Sequence, residues 1–162
     1  KLQEEKIHLE KENFDLTNVL HTQLQKYDVY HMQEGFTIDT ELSAEAIISA
    51  DIKRIEQVFN NFMTNAINYS GDKKHIIVRE ILENNKVRVE IQDFGEGIAK
   101  DDISKIWDRY YKIDKEHVRV SNGSGIGLAI VKEILELHNA KYGVISNLGE
   151  GSTFWFEFPI VK

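Results

Sequence analysis

Apolar positions mark out the chain before any single residue is considered. Leu16, Leu20, Leu24 and Tyr27 repeat at helical spacing, with Asp15 ahead of them as an N-cap and Phe14 and Val19 placed as a hydrophobic staple. This predicts a helix over residues 16–34, closed by Gly35 at its C-cap. Residues 36–42 alternate and predict a strand, and residues 46–49 a shorter one. Asp51 then caps a second helix that runs to about residue 70 and stops at Gly71. Residues 75–83 and 86–92 are rich in Val and Ile, and with Asn84 and Asn85 between them they predict a hairpin. A short helical segment follows near 101–106. Residues 107–123 are aromatic and charged without a period and predict a mobile loop. A glycine-rich turn then feeds a helix within 123–139, and strands near 141–147 and 152–158 flank the turn LGEGS. Helices and strands do not alternate as βαβα. The fold class expected is therefore α/β in the α+β sense, a two-layer sandwich with helices on one face of a mixed, mostly antiparallel sheet.

Composition narrows the picture only a little. The 162 residues suffice for one domain with a core, and 41% hydrophobic with 29% charged residues suits a soluble globular protein. A formal net charge of -7 argues against a general nucleic-acid binder, which carries a basic face. The chain has no cysteine, so disulfides and thiolate metal sites are excluded. Its apolar runs are too short to cross a bilayer, and no direct membrane contact is expected. Residues 1–12 (KLQEEKIHLEKE) are polar, with Leu2 and Leu9 at the spacing of helix seam positions. They are expected to be a helix end or linker. The boundary is drawn so that residues 1–13 are the tail of a preceding helix and residues 14–162 one domain.

The candidate chemistry lies in four pieces. On the helix 51–70, Ile55, Phe59, Phe62 and Ala66 share one face, and Asn61, Asn65 and Asn68 form a second stripe beside it. A row of amides can be surface decoration, or it can offer neutral oxygen ligands to a hard cation such as magnesium. In Asp93-Phe94-Gly95-Glu96-Gly97 a carboxylate ends an apolar strand, and glycines follow two apart. Alone this is a strand-ending turn; it also suits a buried carboxylate accepting from an exocyclic amine such as adenine's. In Gly123-Ser124-Gly125-Ile126-Gly127-Leu128 the glycines let backbone N–H groups converge at a helix N-terminus, where the dipole favours phosphate. It is neither a Walker loop nor a dinucleotide fingerprint. The turn Gly149-Glu150-Gly151-Ser152-Thr153 completes the set.

In this order the pieces resemble the histidine kinase branch of the gyrase, Hsp90, histidine kinase and MutL ATPase superfamily, over roughly residues 14–160. DIKRIEQVFNNFMTNAINYS is similar to the N box, DFGEG to the first glycine box, and GSGIGLAIVKEILELH to the second. IWDRYYKID is similar to the aromatic F box, and GEGSTFWFEFP to the last glycine turn and strand. The resemblance implies a Bergerat fold binding ATP and Mg2+. Asp93 is then the adenine ligand, Asn65 holds magnesium with Asn61 assisting, and Tyr69 packs at the base. Gly95 and Gly97 line the base pocket, and Thr153 reaches it through its hydroxyl. Arg109 and Lys112 lie near the phosphates on a lid. The glycine run from Gly123 cradles the phosphates through the amides of Gly125, Ile126, Gly127 and Leu128. The implied activity is protein-histidine kinase, with the acceptor histidine on a dimerisation domain absent from this chain. A response regulator receiver domain is the downstream partner. The parent is a homodimeric cell-membrane sensor with this domain in the cytoplasm. His8 lacks the following proline of the acceptor motif, so this chain alone is not expected to autophosphorylate. Three departures stand out: Asn68 where a basic residue is common, Trp107 where phenylalanine is usual, and Phe94 at an often polar position. A nucleotide-binding module without catalysis, and an ATP-hydrolysing clamp of the same superfamily, remain as alternatives.

Overall fold

The computed structural model describes residues 7–109 and 127–161. The first helical segment, α1 (Leu16–Leu24), starts where Asp15 accepts the Thr17 N–H, and the same carboxylate takes the Ala46 N–H. The predicted 16–34 helix is not continuous. A 3₁₀ turn over Gln25–Tyr27 separates α1 from α2 (Asp28–Glu34), and Gly35, at φ 78°, closes the second piece in the left-handed conformation that glycine tolerates. The turn carries Tyr27 onto the side-chain oxygen of Asn60, whose amide nitrogen donates to Gln23.

Two strands follow, β2 (Thr37–Glu41) and β3 (Ile47–Ala50), and then the long helix α3 (Ile52–Tyr69), capped by Asp51 through the Arg54 N–H. The hairpin is β4 (His75–Glu83) and β5 (Lys86–Asp93); Asn84 and Asn85 turn it with positive φ. After the short α4 (Lys100–Ile103) and the helix α5 (Gly127–Leu137) come β6 (Lys141–Asn147) and β7 (Gly151–Pro159). The main sheet has the order β2-β4-β5-β7-β6, antiparallel except for the β2–β4 pair. The mixed, mostly antiparallel sheet expected from the sequence is therefore present. A strand that the sequence did not suggest, β1 (Glu12–Asp15), pairs with β3 in a separate two-stranded sheet.

The core lies between the helices and one face of the sheet. Ile55, Phe59, Phe62 and Ala66 of α3 are buried, and the strands answer with Ile76 and Val78, with Val87, Val89 and Ile91, and with Phe154, Phe156 and Phe158. Each strand points alternate residues inward. On the opposite face Arg79, Glu90, Arg88 and Glu157 form a ladder of ion pairs, and the Arg88 guanidinium lies 3.9 Å from the Trp155 ring centroid. Two carboxylates interrupt the inward apolar series. Glu80 follows Ile76 and Val78, and Asp93 follows Val87, Val89 and Ile91.

Candidate nucleotide site

Asp93 ends β5 on the inward face with 3% of its surface exposed. Its Oδ1 accepts the Gly95 N–H at 2.9 Å, and the backbone N–H of Ser152, its register partner on β7, also donates to it. Burial dominates over these two bonds and pushes the carboxyl up to about 6. A buried acceptor of this kind suits a ligand bringing its own N–H donor.

The loop after Asp93 is wedged between two walls. A Cβ on Gly95 would lie 1.7 Å from the carbonyl oxygen of Tyr69, at the end of α3. One on Gly97 would lie 2.1 Å from the carbonyl of Asn147, and one on Gly151 would lie 2.1 Å from that of Asp93. No side chain fits at these approaches, which is the physical reason for glycine at both boxes. Ser146 ties the same junction. Its hydroxyl accepts the Ile98 N–H at 2.7 Å, donates to the Gly151 carbonyl at 3.0 Å and lies 2.8 Å from the Ser152 hydroxyl. The Gly149 N–H donates to the Glu96 carbonyl.

Tyr69 is half-buried at this end of α3, and burial raises its phenol above the ordinary range. Asn61 and Asn65 lie on α3, both half-buried. Asn61 faces the start of α5: its side-chain oxygen is 3.5 Å from where a Cβ on Gly127 would stand. Asn65 lies one turn further along α3, and Leu128 is the second residue of α5. The Asn61 amide oxygen therefore lies at the start of α5, a combination that suits a cation shared with phosphate. Among the described residues no three His, Cys, Asp or Glu side chains group as a metal cage.

Not every predicted residue joins this arrangement. Thr153 does not reach the base pocket. On β7 the inward residues are Ser152, Phe154, Phe156 and Phe158, so Thr153 points to the opposite face, paired with Gln92 and Ile145. Ser152, and not Thr153, shares the face of Asp93; counting in twos back from Phe154 would have found it. Arg109 lines a groove of about 440 Å³ with Trp107, Ala129, Lys132, Glu136 and Leu137, along the flank of α5 and not in the Asn61–Gly127 contact. Lys112, Gly123, Gly125 and Ile126, with most of the predicted mobile loop, lie outside the described residues.

Two of the departures acquire a structural account. Trp107 packs edge-on against Phe62, Phe154 and Tyr142, so the indole fills the place of a phenylalanine. Phe94 stacks on His75 with centroids 4.8 Å apart, and His75 in turn contacts Asp39 at 2.8 Å. This aromatic clip staples the start of β4 to the end of β5 beside Asp93.

The sequence matches the model of the histidine kinase-, DNA gyrase B- and HSP90-like ATPase family over residues 50–162. It is 32% identical over 155 residues to the signal transduction histidine-protein kinase ArlS of Staphylococcus epidermidis, covering 95% of this chain and 34% of that protein. The chain thus spans about a third of the length of this curated relative. Among solved structures it is similar to full-length ShkA in complex with AMPPNP, at 26% identity and a TM-score of 0.81, covering 96% of this chain and 32% of that one. The catalytic domain of histidine kinase ThkA gives 25% identity and a TM-score of 0.81, covering 93% of this chain and 96% of that one. ThkA in complex with the response regulator protein TrrA shares the fold at a TM-score of 0.77 and 23% identity, covering 94% of this chain and 42% of that one. The family match spans the greater part of the chain and includes Asn61, Asn65, Asp93 and the glycine run from Gly123, so the chain belongs to the histidine kinase-, DNA gyrase B- and HSP90-like ATPase family.

Proposed function

We propose that this chain is the catalytic, ATP-binding domain of a two-component sensor histidine kinase. It binds ATP with Mg2+ and delivers the γ-phosphoryl group to a histidine on a dimerisation domain. From there the phosphoryl passes to an aspartate on a response regulator receiver domain. Residues 1–13 connect to the dimerisation helices, and the parent is a homodimeric membrane sensor with this domain in the cytoplasm. No helix among the described residues is long and apolar enough to cross a membrane. The observation that carries the reading is Asp93: a buried carboxylate at the rim of the core, beside glycines packed too closely for any side chain. The names of ArlS and ThkA, and the AMPPNP bound to ShkA, support it. The ThkA–TrrA complex supports a response regulator as partner.

In this reading the adenine amine donates to Asp93, with the loop Gly95–Gly97 against the base and Tyr69 at its edge. The side-chain oxygens of Asn61 and Asn65 would hold magnesium, which would supply neutralising charge at the phosphates. The first amides of α5, at Gly127 and Leu128, face the phosphate chain, and the helix dipole adds to their attraction. The protein's contribution is positioning and charge stabilisation for an in-line transfer, and the acceptor nitrogen and its base come from the dimerisation domain. Lys112 and the glycine run from Gly123 are proposed to complete the phosphate end.

The test is to mix the chain with a separately made dimerisation domain and γ-labelled ATP. Acid-labile, base-stable label on that domain is the expected result. Nucleotide binding without transfer would favour the binding module, and acceptor-independent hydrolysis would favour the clamp.

A further inference from the structure

His138 lies just past the end of α5 and is buried, with both ring nitrogens engaged. Nε2 is 3.1 Å from the backbone N–H of Asp51, which can only donate, so Nε2 is the acceptor. Nδ1, 2.9 Å from the Ile134 carbonyl, therefore carries the proton. The ring is neutral and in one tautomer, edge-on to Phe158 of β7 at 5.5 Å. Burial above all holds it below the ordinary histidine range.

Asp51 extends this contact to two further elements. One carboxylate oxygen accepts the Arg54 N–H and caps α3; the other accepts the backbone N–H of Glu10 at 2.9 Å. Glu10 belongs to the segment that leads into β1, whose Ile7 packs against the core. A single pair of buried residues thus joins the start of α3, the end of α5 and the incoming chain.

The other ends of these helices reach the nucleotide site. From Asp51 to Asn61 is ten residues of α3, and from His138 back to Gly127 is eleven of α5. At the rise of an α-helix these are roughly 15 and 17 Å. The helices are antiparallel and of matched reach, with the His138–Asp51 bond across one end and the Asn61–Gly127 contact across the other. With the two helices joined at both ends, a shift at the first end would carry along them to the second.

We propose that Asp51 and His138 are positioning residues that couple the incoming segment, residues 7–11, to the spacing of α3 and α5 at the phosphate end of the site. The inference rests on the reading of that end as a nucleotide site. It makes the backbone entering the domain a lever on nucleotide affinity.

Asp51→Asn separates the two duties of that side chain. Asparagine caps a helix as well as aspartate, but its NH₂ would face the Glu10 N–H, donor against donor. His138→Gln retains an oxygen acceptor at the distance of Nε2, and His138→Ala removes it. In the full 162-residue chain, Asp51→Asn should speed amide hydrogen exchange at Glu10 and in the first turn of α5. It should weaken Mg-ATP binding about fivefold, the scale of one hydrogen bond. His138→Ala should do the same and His138→Gln should recover most of the loss. Release of the Glu10 amide with unchanged ATP affinity would overturn the coupling, as would Gln and Ala variants that bind alike. Should His138→Ala not fold, Asp51→Asn and His138→Gln decide the matter. If the wild type binds no ATP, the functional reading fails on its own. Exchange at the first turn of α5 in Asp51→Asn then still decides the coupling: faster supports it, unchanged overturns it.

Discussion

At the residue scale the decisive feature is a carboxylate in a place built for an aliphatic side chain. Asp93 continues the inward series Val87, Val89, Ile91, and burial lifts its carboxyl to about 6 against an ordinary 3.8. Burial thus disfavours the ionised form. Stability from this group is greatest below the ordinary value and is lost as pH rises toward 6, by up to about 3 kcal/mol. Asp93→Asn removes that cost, and thermal melts at neutral pH should show the same or a higher midpoint than the wild type. A large drop would mean that the carboxylate is structural. Gly95 is the opposite case. Gly95→Ala drives a methyl into the Tyr69 carbonyl, and denaturant titration should show a loss of about 1–3 kcal/mol or more, with nucleotide binding impaired. The motif DFGEG made Asp93 and both glycines legible in the sequence. Ser146 was not legible, because a serine on an edge strand gives no sign of the three groups it will meet.

At the scale of elements, most of the chain could be read from its periods. Helix α3 announces itself through a four-residue repeat and the Asp51 cap, and β4 and β5 through their Val and Ile content and the two asparagines. The strand β1 could not be read. Glu12–Asp15 has one apolar residue and no alternation, and its only reason to be extended is a distant pairing with β3. Nor did the stripe from Leu16 to Tyr27 report the tighter winding at Gln25–Tyr27, since the apolar side stays inward through the change. Thr153 was misplaced because a motif fixes residues in order, whereas the sheet fixes which face each one takes. Glu80 shows how elements that do not share a sheet are joined. It is buried, and accepts from the Thr17 hydroxyl of α1 at 2.8 Å, the Ser43 N–H at 3.0 Å and the Ser43 hydroxyl at 2.9 Å. Glu80→Ala strands those donors and should cost about 3 kcal/mol in chemical denaturation, while Glu80→Gln keeps an acceptor and should cost clearly less. Equal losses would show that the bonds contribute little.

At the scale of the whole molecule, two buried groups act on stability in opposite directions over the same pH window. His138 is held neutral mainly by burial, with Lys11 adding to the depression, while the Ile134 carbonyl and the Asp51 carboxylate act against it; Phe158, packed on it from β7, carries no charge. The unfolded chain therefore binds more protons once the pH falls through the ordinary histidine range, and stability is lost on acidification. Asp93 works the other way, gaining stability as the pH drops below about 6. Their opposition predicts that Asp93→Asn loses stability more steeply than the wild type between pH 7 and 5, measured as the shift in urea midpoint. Identical slopes would contradict the assignment of Asp93. The ionised carboxylate is the stronger acceptor for an adenine amine, so nucleotide affinity should weaken as the pH falls below about 6. Calorimetric titration with ATP, with and without magnesium, on the wild type, Asp93→Asn and Asn65→Ala decides whether Asp93 and the α3–α5 junction at Asn61 and Gly127 hold Mg-ATP. The wild type should bind with the assistance of magnesium, Asp93→Asn at least about tenfold more weakly, and Asn65→Ala without the magnesium effect. Equal binding by all three folded proteins would contradict this.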